Sequence, residues 1–121
     1  MTVILPFRMV VLETPFKATE TYSAEQFRVY LDHCITDCEN RWEVPYASHY
    51  GRMGDDDDEF KRQLGIKAGW QWGEKAEYVV AYTDFSVTPG MSLSIAHYEK
   101  MGKAVEWRKL DAKLVRSILD M

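Results

Sequence analysis

The sequence predicts an α/β protein built on one doubly wound, wholly parallel sheet. Three observations carry this. Strand-like apolar runs alternate with helix-like amphipathic stripes, the connections between them are short, and 121 residues leave no room for a second globular unit. With 46% hydrophobic and 28% charged residues the composition is that of an ordinary folded chain, so residues 1–121 are expected to form a single domain.

Residues 7–12, FRMVVL, leave through Glu13, Thr14, Pro15 and Phe16, the pattern of a buried strand passing into a loop. Residues 2–5 offer an extension of that strand, although Pro6 interrupts it. Ser23-Ala24-Glu25-Gln26 is a capping box, and Phe27, Tyr30, Leu31, Cys34, Ile35 and Cys38 follow at helical spacing, so a helix runs to residues 40–42. Residues 43–48 read as a second strand, confined by Pro45 to a sheet edge, and residues 49–54 as a loop. The acidic run at 55–59 caps a second helix whose Phe60, Leu64, Ala68 and Trp72 follow one face. Ile66 and Trp70 lie roughly opposite, so this helix should be covered on two sides, by a subunit neighbour or a ligand. Gly65, Gly69 and Gly73 lower its helicity, but their spacing allows close packing.

Residues 78–83, YVVAYT, are the clearest strand after the first. Residues 84–89 form a loop, Gly90 opens a helix with Met91, Ile95 and Tyr98 on one face, and Gly102 ends it. Residues 104–110 read as a strand with Val105 and Trp107 on one face, and Asp111 caps a last helix carrying Leu114, Val115, Ile118 and Leu119. Right-handed crossovers then give a three-layer, flavodoxin-like, four-stranded sheet of order 2-1-3-4 with helices on both faces.

The formal charge of −4 provides no basic footprint for a nucleic-acid duplex. No apolar run approaches membrane-spanning length, and the apolar start is too short for a signal peptide, so a cytoplasmic protein without a membrane partner is expected. Cys34 and Cys38, four apart on a helix, fit two small core residues in a reducing compartment. A metal pair would need nearby Cys or His, which are too few, and the acidic run lacks the alternation and central Gly of a calcium loop. No metal and no cofactor is expected. The dinucleotide-binding glycine fingerprint and the P-loop are both absent from the sequence.

In an open parallel sheet, ligands bind beyond the carboxyl ends of the strands where strand order reverses, here between the first and third strands. That edge collects Glu13, Thr14, Pro15 and Phe16, then Ser48, His49 and Tyr50, then Asp84, Ser86, Thr88, Gly90 and Met91. The helix start at residues 88–92 offers free N–H groups suited to a phosphate or carboxylate. His49 is either a ligand hydrogen-bonding group or a structural one. A Ser48–His49 hydrolase is disfavoured, because no G-x-S-x-G elbow surrounds any Ser. Phe16, Tyr22, Tyr46 and Tyr50 offer either a stacking wall for a base or ordinary packing. His33 and His97 are expected on solvated helix surfaces.

Leu12-Glu13-Thr14-Pro15-Phe16, Pro45-Tyr46-Ala47-Ser48-His49, the stretch at 76–84, Gly90-Met91 and Gly102-Lys103-Ala104-Val105 together resemble the nucleoside 2-deoxyribosyltransferase-like superfamily over about residues 7–110. Within it, the chain is similar to small uncharacterised proteins frequent in phages and prophages. The resemblance implies a nucleoside- or nucleotide-shaped pocket, and assembly as a dimer or larger homo-oligomer in which a neighbour's loop completes each cleft. It also exposes departures. The superfamily's nucleophilic Glu falls at Ser94, its base-protonating Asp at Thr88, and a further acidic position near Gly69.

A lone Ser is a poor substitute for a carboxylate that forms and releases a glycosyl ester, which leaves Glu13 and Asp84 as catalytic candidates. The expectation is therefore a protein that binds a nucleotide or nucleotide-derived metabolite. Glu13 or Asp84 would meet ribose hydroxyls, Phe16 or Tyr50 the base, and Ser86, Thr88 and the Gly90-Met91 amides a phosphate, with Ser94 in the same cleft. In a phage, such a protein could sequester a nucleotide immune signal. The alternatives are an N-glycosidase or deoxyribosyltransferase with a relocated carboxylate, and a scaffold that contacts another protein through its Trp-rich second helix.

Overall fold

The computed structural model describes residues 6–46 and 58–121. The expected strand extension at residues 2–5, the loop at 49–54 and the acidic residues 55–57 lie outside the described residues. Strands β1 (Arg8–Glu13), β2 (Glu43–Tyr46), β3 (Tyr78–Tyr82) and β4 (Val105–Arg108) alternate with helices α1 (Ala24–Asn40), α2 (Glu59–Gly73), α3 (Pro89–Lys100) and α4 (Ala112–Leu119). Every pairing is parallel and the order is β2-β1-β3-β4, as the alternation predicts.

Side chains alternate across a strand, and here the alternation feeds two layers. Val10, Leu12, Val80 and Tyr82 pack with Phe27, Tyr30, Leu31, Cys34 and Cys38 of α1 and Ile118 of α4. Val11, Val79 and Ala81 face the other way, toward Tyr98, Met91 and Ile95 of α3 and the half-buried Trp70 of α2. The capping box holds the start of α1: Gln26 N donates to Ser23 Oγ at 3.0 Å and Ser23 N to Gln26 Oε1 at 2.8 Å. Cys34 and Cys38 are free and buried, and burial raises both thiols above their ordinary range. No described helix is long and apolar enough to cross a membrane.

Helix α2 corrects the sequence expectation. Its Phe60 and Trp72, 72% and 68% exposed, point outward, and the inward face is Ile66, Gly69, Trp70 and Gly73. Two apolar stripes were legible, but packing selects the one bearing the glycines. Tyr98 Oη donates to the Gly69 carbonyl at 3.3 Å. A Cβ on Gly73 would collide with the Tyr98 hydroxyl and ring edge. Strand β4 is shorter than residues 104–110, and its buried residue is Arg108, with Val105 half-buried and Trp107 exposed. In α4, only Ile118 of the expected stripe is fully buried, whereas Leu114 and Leu119 are exposed.

Arg108 anchors a buried polar network. Its Nη1 and Nη2 donate to Glu43 Oε1 and Oε2, both at 2.7 Å, joining the two edge strands. Nη1 also donates to Tyr82 Oη at 3.3 Å, and that hydroxyl donates to Asp37 Oδ2 of α1 at 2.6 Å. Tyr78 Oη donates to Glu43 Oε2, and Arg108 Nη2 to Glu106 Oε2 at 3.0 Å. Burial pushes the Glu43 carboxyl upward, but the Arg108 and Tyr78 hydrogen bonds outweigh it and hold the group below its ordinary value. The network therefore contributes above the unfolded-state carboxylate value and is lost as pH falls through the lower folded-state value.

Two outcomes follow for stability. Arg108→Met, which strands the Glu43 charge, should cost about 3–5 kcal/mol in urea denaturation, and adding Glu43→Met should recover part of it. Gly73→Ala should cost about 1–3 kcal/mol by overpacking against Tyr98, a loss that Tyr98→Leu in the same chain should reduce.

Candidate functional site

The two-residue period that buries Val11 against α3 sends the Glu13 side chain to the same face, at the carboxyl end of β1. Glu13 pairs in register with Ala81 of β3, and Ala81 packs on Met91 and Ile95, so the carboxyl lies beside the first turns of α3. This is the point where strand order reverses.

Ser94 of α3 reaches the carboxyl. Trp70 Nε1 donates to Ser94 Oγ at 3.2 Å. An indole N–H can only donate, so the Ser94 hydroxyl keeps its own proton, and its pull on the Glu13 carboxyl favours the charged form. The Trp70 ring is held in turn by His97, stacked at 4.1 Å between centroids and 10° from parallel. His97 is thus half-buried rather than solvated, with Nε2 3.7 Å from Glu74 Oε1.

Glu13 is 4% exposed and Thr14 2%. Glu13 Oε1 and Thr14 Oγ1 nevertheless have no hydrogen-bond partner among the described residues. Leaving a buried polar atom unsatisfied costs about 1–3 kcal/mol, so two side by side are an expensive feature of the fold. Burial pushes the Glu13 carboxyl up to about 8, against the opposing pull of Ser94.

The third loop divides. Thr88 caps α3, accepting from Met91 N at 3.2 Å, with Pro89 in the first turn and Gly90 exposed beside it. Met91 is buried, and Ser86 is exposed in the left-handed region with φ 75°. Asp84 turns to the α1 face. Its Oδ2 accepts from Tyr30 Oη at 2.6 Å and from Leu110 N at 3.0 Å, and its own N–H donates to Tyr30 Oη at 3.1 Å. Phe85, unremarked in the sequence, is buried among Tyr22, Phe27 and Tyr30. Pro15 is buried and Phe16 exposed. Tyr46 stacks on Trp72 at 5.9 Å. Ser48, His49 and Tyr50 lie outside the described residues.

The fold therefore brings Glu13 and Ser94 together, with Thr14 next to Glu13 along the chain, and adds Trp70, whose only sequence signal was its place on the second apolar side of α2. It separates Asp84 from them and draws Tyr22 into the core. Among the described residues, no group of three or more His, Cys, Asp or Glu could hold a metal ion.

A family model for a domain of unknown function, DUF7768, matches residues 8–108. The chain belongs to the DUF7768 family. The DUF7768 match opens on the first residue of β1 and closes on the last of β4, so it spans the whole sheet, both members of the Glu43–Arg108 pair and the Glu13 site, and leaves α4 outside. No curated protein and no solved structure matches the chain.

The Glu13 environment has a sign that can be measured. Its folded-state value, about 8, lies above the ordinary 4.5, so the folded chain holds a proton that the unfolded chain releases between those limits. The contribution is complete below the lower limit and is lost as pH rises to the upper one. Urea midpoints from pH 5 to 8 should show Glu13→Gln gaining on the parent chain by about 1.4 kcal/mol per pH unit. Parallel profiles would mean that the carboxyl ionises freely in the folded protein.

Proposed function

We propose that the chain binds a nucleotide or nucleotide-derived small molecule at the carboxyl end of β1, with Glu13 and Thr14 as its buried polar contacts. The observation that carries this is the pair of unpartnered buried atoms, Glu13 Oε1 and Thr14 Oγ1, at the reversal of strand order. A ligand that supplies their hydrogen bonds recovers free energy the empty fold forfeits. The start of α3, with Gly90 exposed, adds N–H groups suited to a phosphate, and Phe16 adds an exposed aromatic ring near Glu13. The nucleotide class itself comes from the sequence resemblance. The outward Phe60, Leu64 and Trp72 of α2 support assembly with further copies of the chain, and a cytoplasmic location suits two free cysteines.

A second reading has its own observation. Ser94, which stands where the resembled superfamily has its nucleophile, is close enough to pull on the Glu13 carboxyl, so a carboxyl group is present beside that position although it comes from β1. Held protonated, Glu13 would serve an N-glycosidase as the acid that protonates the departing base.

Calorimetric titration against nucleosides, 5′-mononucleotides and cyclic dinucleotides should yield heat from at least one class, and Glu13→Ala should weaken that binding at least about tenfold, the scale of one buried hydrogen bond to a polar group. Silence from every class contradicts the binding proposal. Release of free base from deoxynucleosides or deoxynucleotides, followed by chromatography and abolished by the same substitution, would favour the glycosidase.

A further inference from the structure

A carboxylate removed from water is stable only against a cation or several donors. Glu13 has neither. Its neighbours are Thr14, the next residue of the chain, Ala81 on β3, Ser94 and Tyr98 on α3, and Trp70 on α2 through Ser94. No lysine or arginine pairs with it among the described residues. Ser94 alone pulls toward the charged form, and Oε1 has no hydrogen-bond partner among the described residues.

We propose that Glu13 meets its ligand as a neutral carboxylic acid, donating a hydrogen bond from Oε1 to an acceptor atom such as an unprotonated ring nitrogen or a carbonyl oxygen of a heterocyclic base, with the Thr14 hydroxyl as the second contact. This rests on the ligand-binding proposal above and narrows it. A ligand presenting only donors, or a cation, is not matched at this position, whereas a neutral acid leaves an anionic group elsewhere on the ligand unopposed. Burial, which pushes Glu13 up to about 8, agrees with that protonation state at neutral pH. Tyr98 and Tyr46, the nearest other acids on the same face, are both raised above their ordinary values and stay neutral throughout. His97 and Glu74 stand one layer further out, against Trp70 and each other, and a Glu13→Gln control isolates the contribution of Glu13.

The test has two arms. In the first, adenosine, cytidine and their cyclic monophosphates, none of which titrates between pH 7 and 9.5, are bound calorimetrically at both pH values. The parent chain should bind roughly 30-fold more weakly at pH 9.5, and Glu13→Gln, which keeps a donor, should change by less than about twofold. Ser94→Ala, which removes the one group that favours the charged form, should move the midpoint to higher pH. In the second arm, carbon NMR follows the Glu13 carboxyl in the unliganded protein, with Glu13→Gln providing the assignment. Half-ionisation near pH 8 supports the inference, and ionisation complete by pH 6 overturns it. Equal affinity at the two pH values also overturns it, while leaving ligand binding intact. No heat from any of these probes at pH 7 overturns the base contact itself, whatever the carboxyl's titration.

Discussion

A carboxyl group taken out of water must find a positive partner or keep its proton. This chain buries two glutamates at sheet positions and resolves them in opposite ways. Glu43, at the start of β2, is gripped through both oxygens by Arg108 at the end of β4 and stays charged. Glu13, at the end of β1 on the opposite face, has one serine and favours its neutral form. The first arrangement joins the two edge strands and α1 into one body. The second leaves hydrogen-bonding capacity unspent at the edge where doubly wound sheets hold ligands.

The two layers explain why each glutamate has the surroundings it has. On the α1 face, long polar side chains (Tyr78, Tyr82, Arg108) cross the sheet and meet one another, so most donors and acceptors there are paired, Arg108 Nε being left without a partner among the described residues. On the α3 face, aliphatic and aromatic residues dominate. Ala81 of β3 and the glycines of α2 let Tyr98 and Trp70 approach, and the aromatic rings wall Glu13 off from water without offering it a cation. Trp70 spends its one N–H on Ser94 rather than on the carboxyl itself. Asp84, although only two residues beyond the end of β3, is committed to Tyr30 and Leu110 and braces the loop that carries the start of α3.

Much of the architecture was readable from spacing. The capping box at Ser23, the stripe of α1, the edge position forced on β2 by Pro45, and the strand order all follow from period and connection length. What spacing could not decide was which of two apolar stripes on α2 turns inward, since that depends on Tyr98 needing the room above Gly69 and Gly73, a contact between helices far apart in sequence. Arg108 was hidden for a related reason. Val105 and Trp107 marked out one face of the strand, but a charged residue can occupy the interior when its partner, Glu43, lies 65 positions away, and no local pattern announces that. At the site, Glu13 and Thr14 were legible as polar residues ending a buried strand. Their lack of partners was not, because it is a property of the packed neighbourhood.

The most direct measurement is a high-resolution crystal structure of the protein as purified from cells, examined at Glu13 Oε1 and Thr14 Oγ1. The account predicts a bound small molecule with an acceptor atom about 3 Å from Oε1. Protein groups of the same chain hydrogen-bonded to both atoms, with no space left between β1 and α3, would contradict it.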